Sequence, residues 1–200
     1  NVTVAGYLNA TLGSNVDKIT LDDEVFQSLY LDLNDYKMII PGNAEMTGDI
    51  KVGSGVLEVT GDYIQKEGVL SIGKGSVLVK GAFRIQDTNA NEEYITADAK
   101  FDINEGGALT VNGDIVIDSD YGYWFELIGE IIAKGNVTVK KTAYNLGIAN
   151  LTMAGSEAQK LELTSMTKVE NLVISNDNVT VAGYLNATLG SNADKISLDD

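Results

Sequence analysis

The sequence predicts an all-β fold, a parallel β-helix (β-solenoid) taken as right-handed on base rates alone and carrying short loop insertions. Three observations predict it. First, the chain repeats itself: residues 1–23, NVTVAGYLNATLGSNVDKITLDD, return at 178–200 as NVTVAGYLNATLGSNADKISLDD. Only Val16 against Ala193 and Thr20 against Ser197 differ, and the offset is 177 residues. Residues 1–177 therefore read as one repeat unit and 178–200 as the start of the next tandem unit. Second, glycine-led segments recur inside the unit: TGDI (47–50), TGDYI (60–64), KGAFRI (80–85), NGDIVI (112–117) and KGNVTV (134–139). Gly61 and Gly81 lie 20 residues apart, Gly113 and Gly135 22 apart. That spacing is too long for a hairpin and too short for a domain, but suits one turn of a solenoid. Third, Val, Ile, Leu, Thr and Tyr alternate with polar residues, and there is a single proline. Alternation predicts strands with one buried face, and a continuous ladder needs almost every backbone N–H.

Taken in order, residues 22–36 (DDEVFQSLYLDLNDY) are acidic and less regular, and read as a short helix or a bulged coil. The clearest turn follows. Residues 61–65 form a strand, 66–68 a turn, 69–72 a strand, 73–75 a turn and 77–80 a third strand, with Gly81 opening the next coil. Three short strands make a triangle. Its expected corner glycines, Gly48, Gly61, Gly81, Gly113, Gly135 and Gly183, suit backbone with positive φ. Residues 87–100 (DTNANEEYITADAK) read as a protruding polar loop. Residues 118–132 form a second departure and hold the one tryptophan. At roughly 20–25 residues per coil the unit holds about seven to nine coils, rising on the order of 35–45 Å. A lone coil cannot bury its apolar face, and an open end recruits other strands. Tandem units answer both problems, because the last coil of one covers the first coil of the next.

Composition narrows the chemistry. With no cysteine and no histidine, thiol nucleophiles, iron–sulfur clusters, Ser-His-Asp triads and His or Cys zinc sites are excluded. Net charge is −15, from 14 Lys and Arg against 29 Asp and Glu, which argues against nucleic acid. Arg84 is the one guanidinium. No apolar run approaches the roughly 18 residues of a membrane span. Opening at Asn1 without an initiator methionine or signal sequence reads as an excised or mature segment of a longer protein.

Four sets of residues are candidates for function. Asp22, Asp23 and Glu24, and Asp199 and Asp200, are clustered carboxylates. Sequence neighbours in a strand point to opposite faces, so they do not make a catalytic pair, and no catalytic residue is expected. Asp118 and Asp120 flank Ser119 and are the candidate Ca²⁺ ligands, with no EF-hand or nonapeptide pattern around them; no other cofactor is expected. Tyr121, Tyr123, Trp124 and Phe125 are candidates for ligand stacking or lateral contact, against the alternative of core or loop packing. Six Asn-x-Thr triplets begin at Asn1, Asn9, Asn136, Asn150, Asn178 and Asn186. They read as turn-ending asparagines stacked in amide ladders, or as glycosylation acceptors.

Residues 32–86, DLNDYKMIIPGNAEMTGDIKVGSGVLEVTGDYIQKEGVLSIGKGSVLVKGAFRIQ, and residues 155–176, GSEAQKLEL…VENLVISN, carry a resemblance. The chain resembles the glycine-punctuated parallel β-helix repeats of large secreted or cell-surface proteins of Clostridia-type bacteria. Gly155, Ser156, Gln159, Asn171, Leu172, Ile174 and Asn176 match a G-S-x-x-Q…F-x-N-L-x-I-x-N segment of those proteins, while Val169 stands where Phe is usual. The resemblance implies surface solenoids, adhesins or filaments, and brings no defined active site. The expectation is a structural repeat unit of an extracellular fibre, filament or adhesin stalk, not an enzyme. Its partners would be further copies of itself and host or cell-surface glycans or proteins, with no nucleic acid and no membrane span in this segment. The rival expectations are a carbohydrate-binding or polysaccharide-cleaving β-helix module, and an intracellular polymer-forming scaffold.

Overall fold

Alternation builds the wall. Successive strand residues point to opposite faces, so Val56–Val59 buries Leu57 and Val59 completely and leaves Val56 and Glu58 half-buried on the outside. The structure, a computed structural model, describes residues 2–22, 24–191 and 196–198. Among the described residues there is no helix, strand makes up 61%, and parallel coils stack into a β-solenoid of about ten turns. Coils open at Val2, Ile19, Asn43, Tyr63, Phe83, Ile115, Val137 and Gln159, eight in number, before the recurring segment resumes at Val179.

Each coil contributes to three parallel ladders. The first face stacks residues 43–46 and 63–65, then Phe83–Ile85, Ile115–Asp118, Val137–Lys141, Gln159–Leu163, Val179–Gly183 and Ile196–Leu198. The second face stacks 30–32, 49–51, 69–72, Asp98–Ile103, 126–127, 146–148 and 167–169. The third stacks Lys37–Ile40, Val56–Val59, Ser76–Val79, Ala108–Val111, 130–133, 150–153 and 171–174. The inward residues of all three form one continuous apolar core from Val4 to Val181. Aromatic rings run up its middle: Tyr63 stacks on Phe83 at 5.3 Å, Phe83 meets Phe101 edge-on at 5.1 Å, and Phe101 meets Phe125 at 5.9 Å. The Tyr63 hydroxyl donates to Gln65 Oε1, whose Nε2 donates to the carbonyls of Gly48 and Glu67, both at 2.7 Å.

The corners differ from expectation in two ways. Residues 66–68 do not separate two strands: Tyr63–Ile72 is one strand that bends at Gly68, with φ of 72°. A register shift against the coil below, between Met46 and Thr47, absorbs the bend. Second, of the six expected corner glycines only Gly183 has positive φ, at 77°. Gly48, Gly61, Gly81, Gly113 and Gly135 are required by close approach instead. A Cβ on Gly61, Gly81 or Gly113 would sit 2.7 Å from the carbonyl carbon of the glycine one coil below. On Gly48 it would sit 2.7 Å from Leu29 C, and on Gly135 2.7 Å from Asp114 N. The N–H groups of Gly61, Gly81 and Gly113 donate to the stacked glycine carbonyl at 2.8, 2.9 and 2.9 Å. The residues after Gly42, Gly61 and Gly113 add a second tie. Asn43 Oδ1 accepts from Asp62 N, Asp62 Oδ1 from Ala82 N, and Asp114 Oδ1 from Asn136 N, each at 2.8 Å.

The insertions are shorter than the sequence suggests. The described residues of 22–36 hold no helix: Val25–Asp32 is a strand with a register irregularity between Ser28 and Tyr30, the bulged coil of the two readings. The polar loop is a small antiparallel hairpin, Asp87–Thr88 against Tyr94–Ile95, and the chain rejoins the wall at Asp98 rather than beyond 100. The second departure ends at Phe125, because Glu126–Ala133 is a wall strand with alternate residues buried.

Two predictions follow from this packing. Gly81→Ala should cost roughly 1–3 kcal/mol, since the added methyl would strike the Asp62 carboxylate, which is tied to Ala82 N, and come within 2.7 Å of the Gly61 carbonyl. Gly147→Ala, with no atom within 4 Å of the new Cβ, should stay within about 0.5 kcal/mol; urea midpoints of the two variants compare them. Tyr63 is fully buried, and burial pushes its phenol well above the ordinary 10.0. The unfolded chain therefore ionises this group first. Its contribution is full below about pH 10 and is lost as pH rises through the folded value. Tyr63→Phe should flatten the alkaline fall in urea midpoint between about pH 8 and pH 11, beyond any pH-independent loss of about 1 kcal/mol from Gln65.

Candidate interaction surface

The corner between the first and second faces changes character along the solenoid. In the early coils it is closed by bent strands, as at Asn43–Lys51 and Tyr63–Ile72. After Ile115–Asp118 the chain instead crosses it in open turns. Ser119 is buried, and its hydroxyl donates to Ala99 O and accepts from Tyr121 N at 3.1 Å. That anchor leaves residues 121–124 outside the wall. Phe125 returns to the core at 8% exposure, and Glu126 N donates to Asp102 Oδ1 at 2.9 Å, restarting the ladder.

Lys100 holds the loop down. Its ammonium reaches Asp102 Oδ2 at 2.7 Å and Trp124 O at 2.9 Å, and lies 5.8 Å from the Tyr121 ring. Tyr121 is half-buried, and desolvation raises its phenol despite the opposing charge of Lys100. The four aromatic candidates thus separate. Phe125 is core, Tyr121 packs on the loop with its ring 5.8 Å from Tyr123, and Tyr123 and Trp124 stand 71% and 68% exposed. Trp124 borders a cleft of about 420 Å³ whose other walls include Asn145, Leu146, Ser165, Met166, Lys168 and Asn186. The following coils expose Tyr144, Met166, Tyr184 and Leu185 in the turns at this same corner. Sequence reasoning missed that stripe. Its members are isolated in the chain, and only the coil register aligns them.

The other candidates are drawn to separate partners. Asp118 Oδ1 accepts from Thr96 Oγ1 at 2.8 Å and its Oδ2 from Gln86 Nε2 at 3.5 Å, whereas Asp120 Oδ2 pairs with Lys141 at 2.6 Å. Among the described residues no group of three or more acidic side chains is placed to hold a metal ion. Asp22 and Glu24 border a cleft of about 350 Å³ with Ile19, Thr20, Leu21 and Pro41. Asp23, Asp199, Asp200 and Asn1 lie outside the described residues. Arg84 is engaged by Gln86 Oε1 at 3.2 Å and by the Tyr94 ring at 4.5 Å, beneath the hairpin. Three asparagines of the Asn-x-Thr triplets tie coils together. Asn9 Oδ1 accepts from Leu29 N at 2.8 Å, Asn136 Oδ1 from Lys160 N at 2.7 Å, and Asn150 Oδ1 from Asn171 Nδ2 at 3.1 Å. The last is a rung of the expected amide ladder.

Comparison with protein-family models, with curated proteins and with solved structures finds no match to the chain. The fold is a parallel β-solenoid on its own geometry.

The split between Trp124 and Phe125 is measurable. Phe125→Ala should lose roughly 3–5 kcal/mol of stability, as for other large core truncations. Trp124→Ala should leave the urea midpoint within about 0.5 kcal/mol, which separates a surface role from a packing role.

Proposed function

We propose that the chain is a structural repeat unit of an extracellular fibre, filament or adhesin stalk, with residues 1–177 as one unit and 178–200 as the opening of the next. The observation that carries this reading is the return of a 23-residue segment after 177 residues, with two substitutions. A solenoid grows by adding coils to its open edge, so repetition of a whole set of coils extends it without a change of design. The likeness of residues 32–86 and 155–176 to repeats of secreted or cell-surface Clostridia-type proteins supports the extracellular assignment. The net charge of −15 suits a fibre, since like-charged fibres repel rather than collapse on one another. The role is mechanical and no catalysis is assigned. A second reading, a carbohydrate-binding module, draws on the exposed Trp124 and Tyr123 beside a cleft lined by Asn145 and Asn186. In that reading the rings would stack on sugar faces.

Electron microscopy of one, two and four tandem units tests the fibre. Particle length should grow by about 38 Å per unit, eight coils at about 4.8 Å each, at constant width. Globules strung as beads would overturn it. Glycan binding lost in Trp124→Ala would favour the second reading.

A further inference from the structure

The recurring segment occurs twice, and each copy sits against a different neighbour. The first copy lies beneath the coil that follows it. Tyr7 pairs with Gln27, Ala10 with Leu31, Thr11 with Asp32 and Val16 with Met38. The second copy lies on the coil that precedes it. Val179 pairs with Gln159, Thr180 with Lys160, Ala187 with Val169 and Leu189 with Leu172. Inside each copy the strands pair identically. Val2, Thr3 and Val4 face Ile19, Thr20 and Leu21, and Val179, Thr180 and Val181 face Ile196, Ser197 and Leu198, the same register displaced by 177. Parallel strands carry two hydrogen-bonding edges. The first copy uses the upper edge and the second copy the lower, so the two sets of neighbours do not compete for any backbone group.

We infer that consecutive units join coil on coil through this one segment, each copy serving at once as the roof of one unit and the floor of the next. This rests on the tandem-fibre reading and adds its register. The partner is a second copy of the unit, and the sequence identity of the two copies names it. Across the junction the second-face ladder runs Val169, Ala10, Leu31, Ile50, without a gap. The first face does not run through. Its lower ladder climbs through the strand of Val2–Val4 to Ile19–Leu21 and stops there, since that pair forms a separate two-stranded sheet. A new ladder opens at Val25–Asp32 and continues to Asn43–Lys51, with Tyr7 and Gln27 the first-face bridge beneath it. The first face therefore carries one step per 177 residues. The cleft bordered by Ile19, Asp22, Glu24 and Pro41 lies at that step. The sole proline, which has no N–H to offer a ladder, stands where the ladder is interrupted.

The test uses a two-unit chain, residues 1–177 followed directly by 1–200. The native sequence has no cysteine, so introduced pairs report cleanly. Lys160→Cys in the first unit and Thr3→Cys in the second probe the lower edge of the middle copy. Tyr7→Cys and Gln27→Cys, both in the second unit, probe its upper edge. Facing residues of adjacent strands lie about 4.8 Å apart, inside the disulfide range of about 4.4–6.8 Å. Both disulfides should form in the same molecules, read by mass spectrometry of the unreduced digest. Two bonds that each form alone but never together would overturn the proposal, because the copy would then serve one neighbour at a time. In the 200-residue chain, failure of both Lys160→Cys with Thr180→Cys and Tyr7→Cys with Gln27→Cys would also overturn it, by removing the register on which it stands. Doubly bonded molecules from a protein found inside the cell would uphold the junction and refute the extracellular role.

Discussion

The structure depends on holding one backbone at hydrogen-bonding distance from the next at every corner of the coil. Flat faces do this readily, because parallel strands of alternating pattern stack with their side chains out of the way. Corners do not, since a side chain there points into the neighbouring turn. The column Gly61, Gly81, Gly113, Gly135, stacked above Gly42, solves the problem by leaving out the Cβ that would strike the backbone of the coil below. Gln159 terminates the column, its side-chain amide donating to the carbonyls of Gly135 and Ala133. The aromatic stack and the aliphatic core can close around one axis only because these corners keep the coils evenly spaced.

The acidic residues serve that same spacing. Asp35 Oδ1 accepts from Ser54 N at 2.6 Å, Asp49 Oδ1 from Val69 N at 3.1 Å, and Asp62 and Asp114 act alike at the glycine corner. A carboxylate accepting a backbone N–H is a stronger tie than a neutral acceptor. Lysines on the outer walls offset part of the charge. Glu58 lies between Lys80 at 2.8 Å and Lys37 at 3.8 Å. The hydrogen bond from Lys80 leads in holding its carboxyl below the ordinary range, against desolvation that acts to raise it. These partly exposed pairs add little stability individually. With the aspartates taking up backbone N–H groups, the exterior stays charged while those backbone donors are satisfied.

The corner bearing Trp124 obeys the same rule by a different route. Where strands bend continuously, as in the early coils, the corner is closed and offers no surface. From Ser119 onward that corner is open, and the continuous bends appear between the second and third faces instead, in Glu126–Ala133, Leu146–Met153 and Thr167–Ile174. Moving the bend frees the first corner to carry side chains that the core does not need. Tyr123, Trp124, Tyr144, Met166 and Tyr184 occupy that freed edge.

The repeat, the glycine period and the alternation of apolar residues were legible in the chain because each is a short-range property. They determined the solenoid class, and bracketed the typical coil length and the number of coils per unit. The tertiary structure decided what each residue does at its place in the stack. Gly61 and Gly81 looked like residues chosen for φ, yet their reason is a neighbour 19 or 20 residues away, which a local reading does not see. Phe125 and Trp124 are adjacent aromatics, and where the chain rejoins the ladder at Glu126, Phe125 is the one that faces the core. The alignment of Trp124 with Tyr144, Met166 and Tyr184 needed the register. Coil length varies, most of all where the hairpin at 87–95 lengthens one coil, so positions that coincide in space share no fixed spacing in sequence. Local chemistry specified the strands, and contact between coils specified the surface they present.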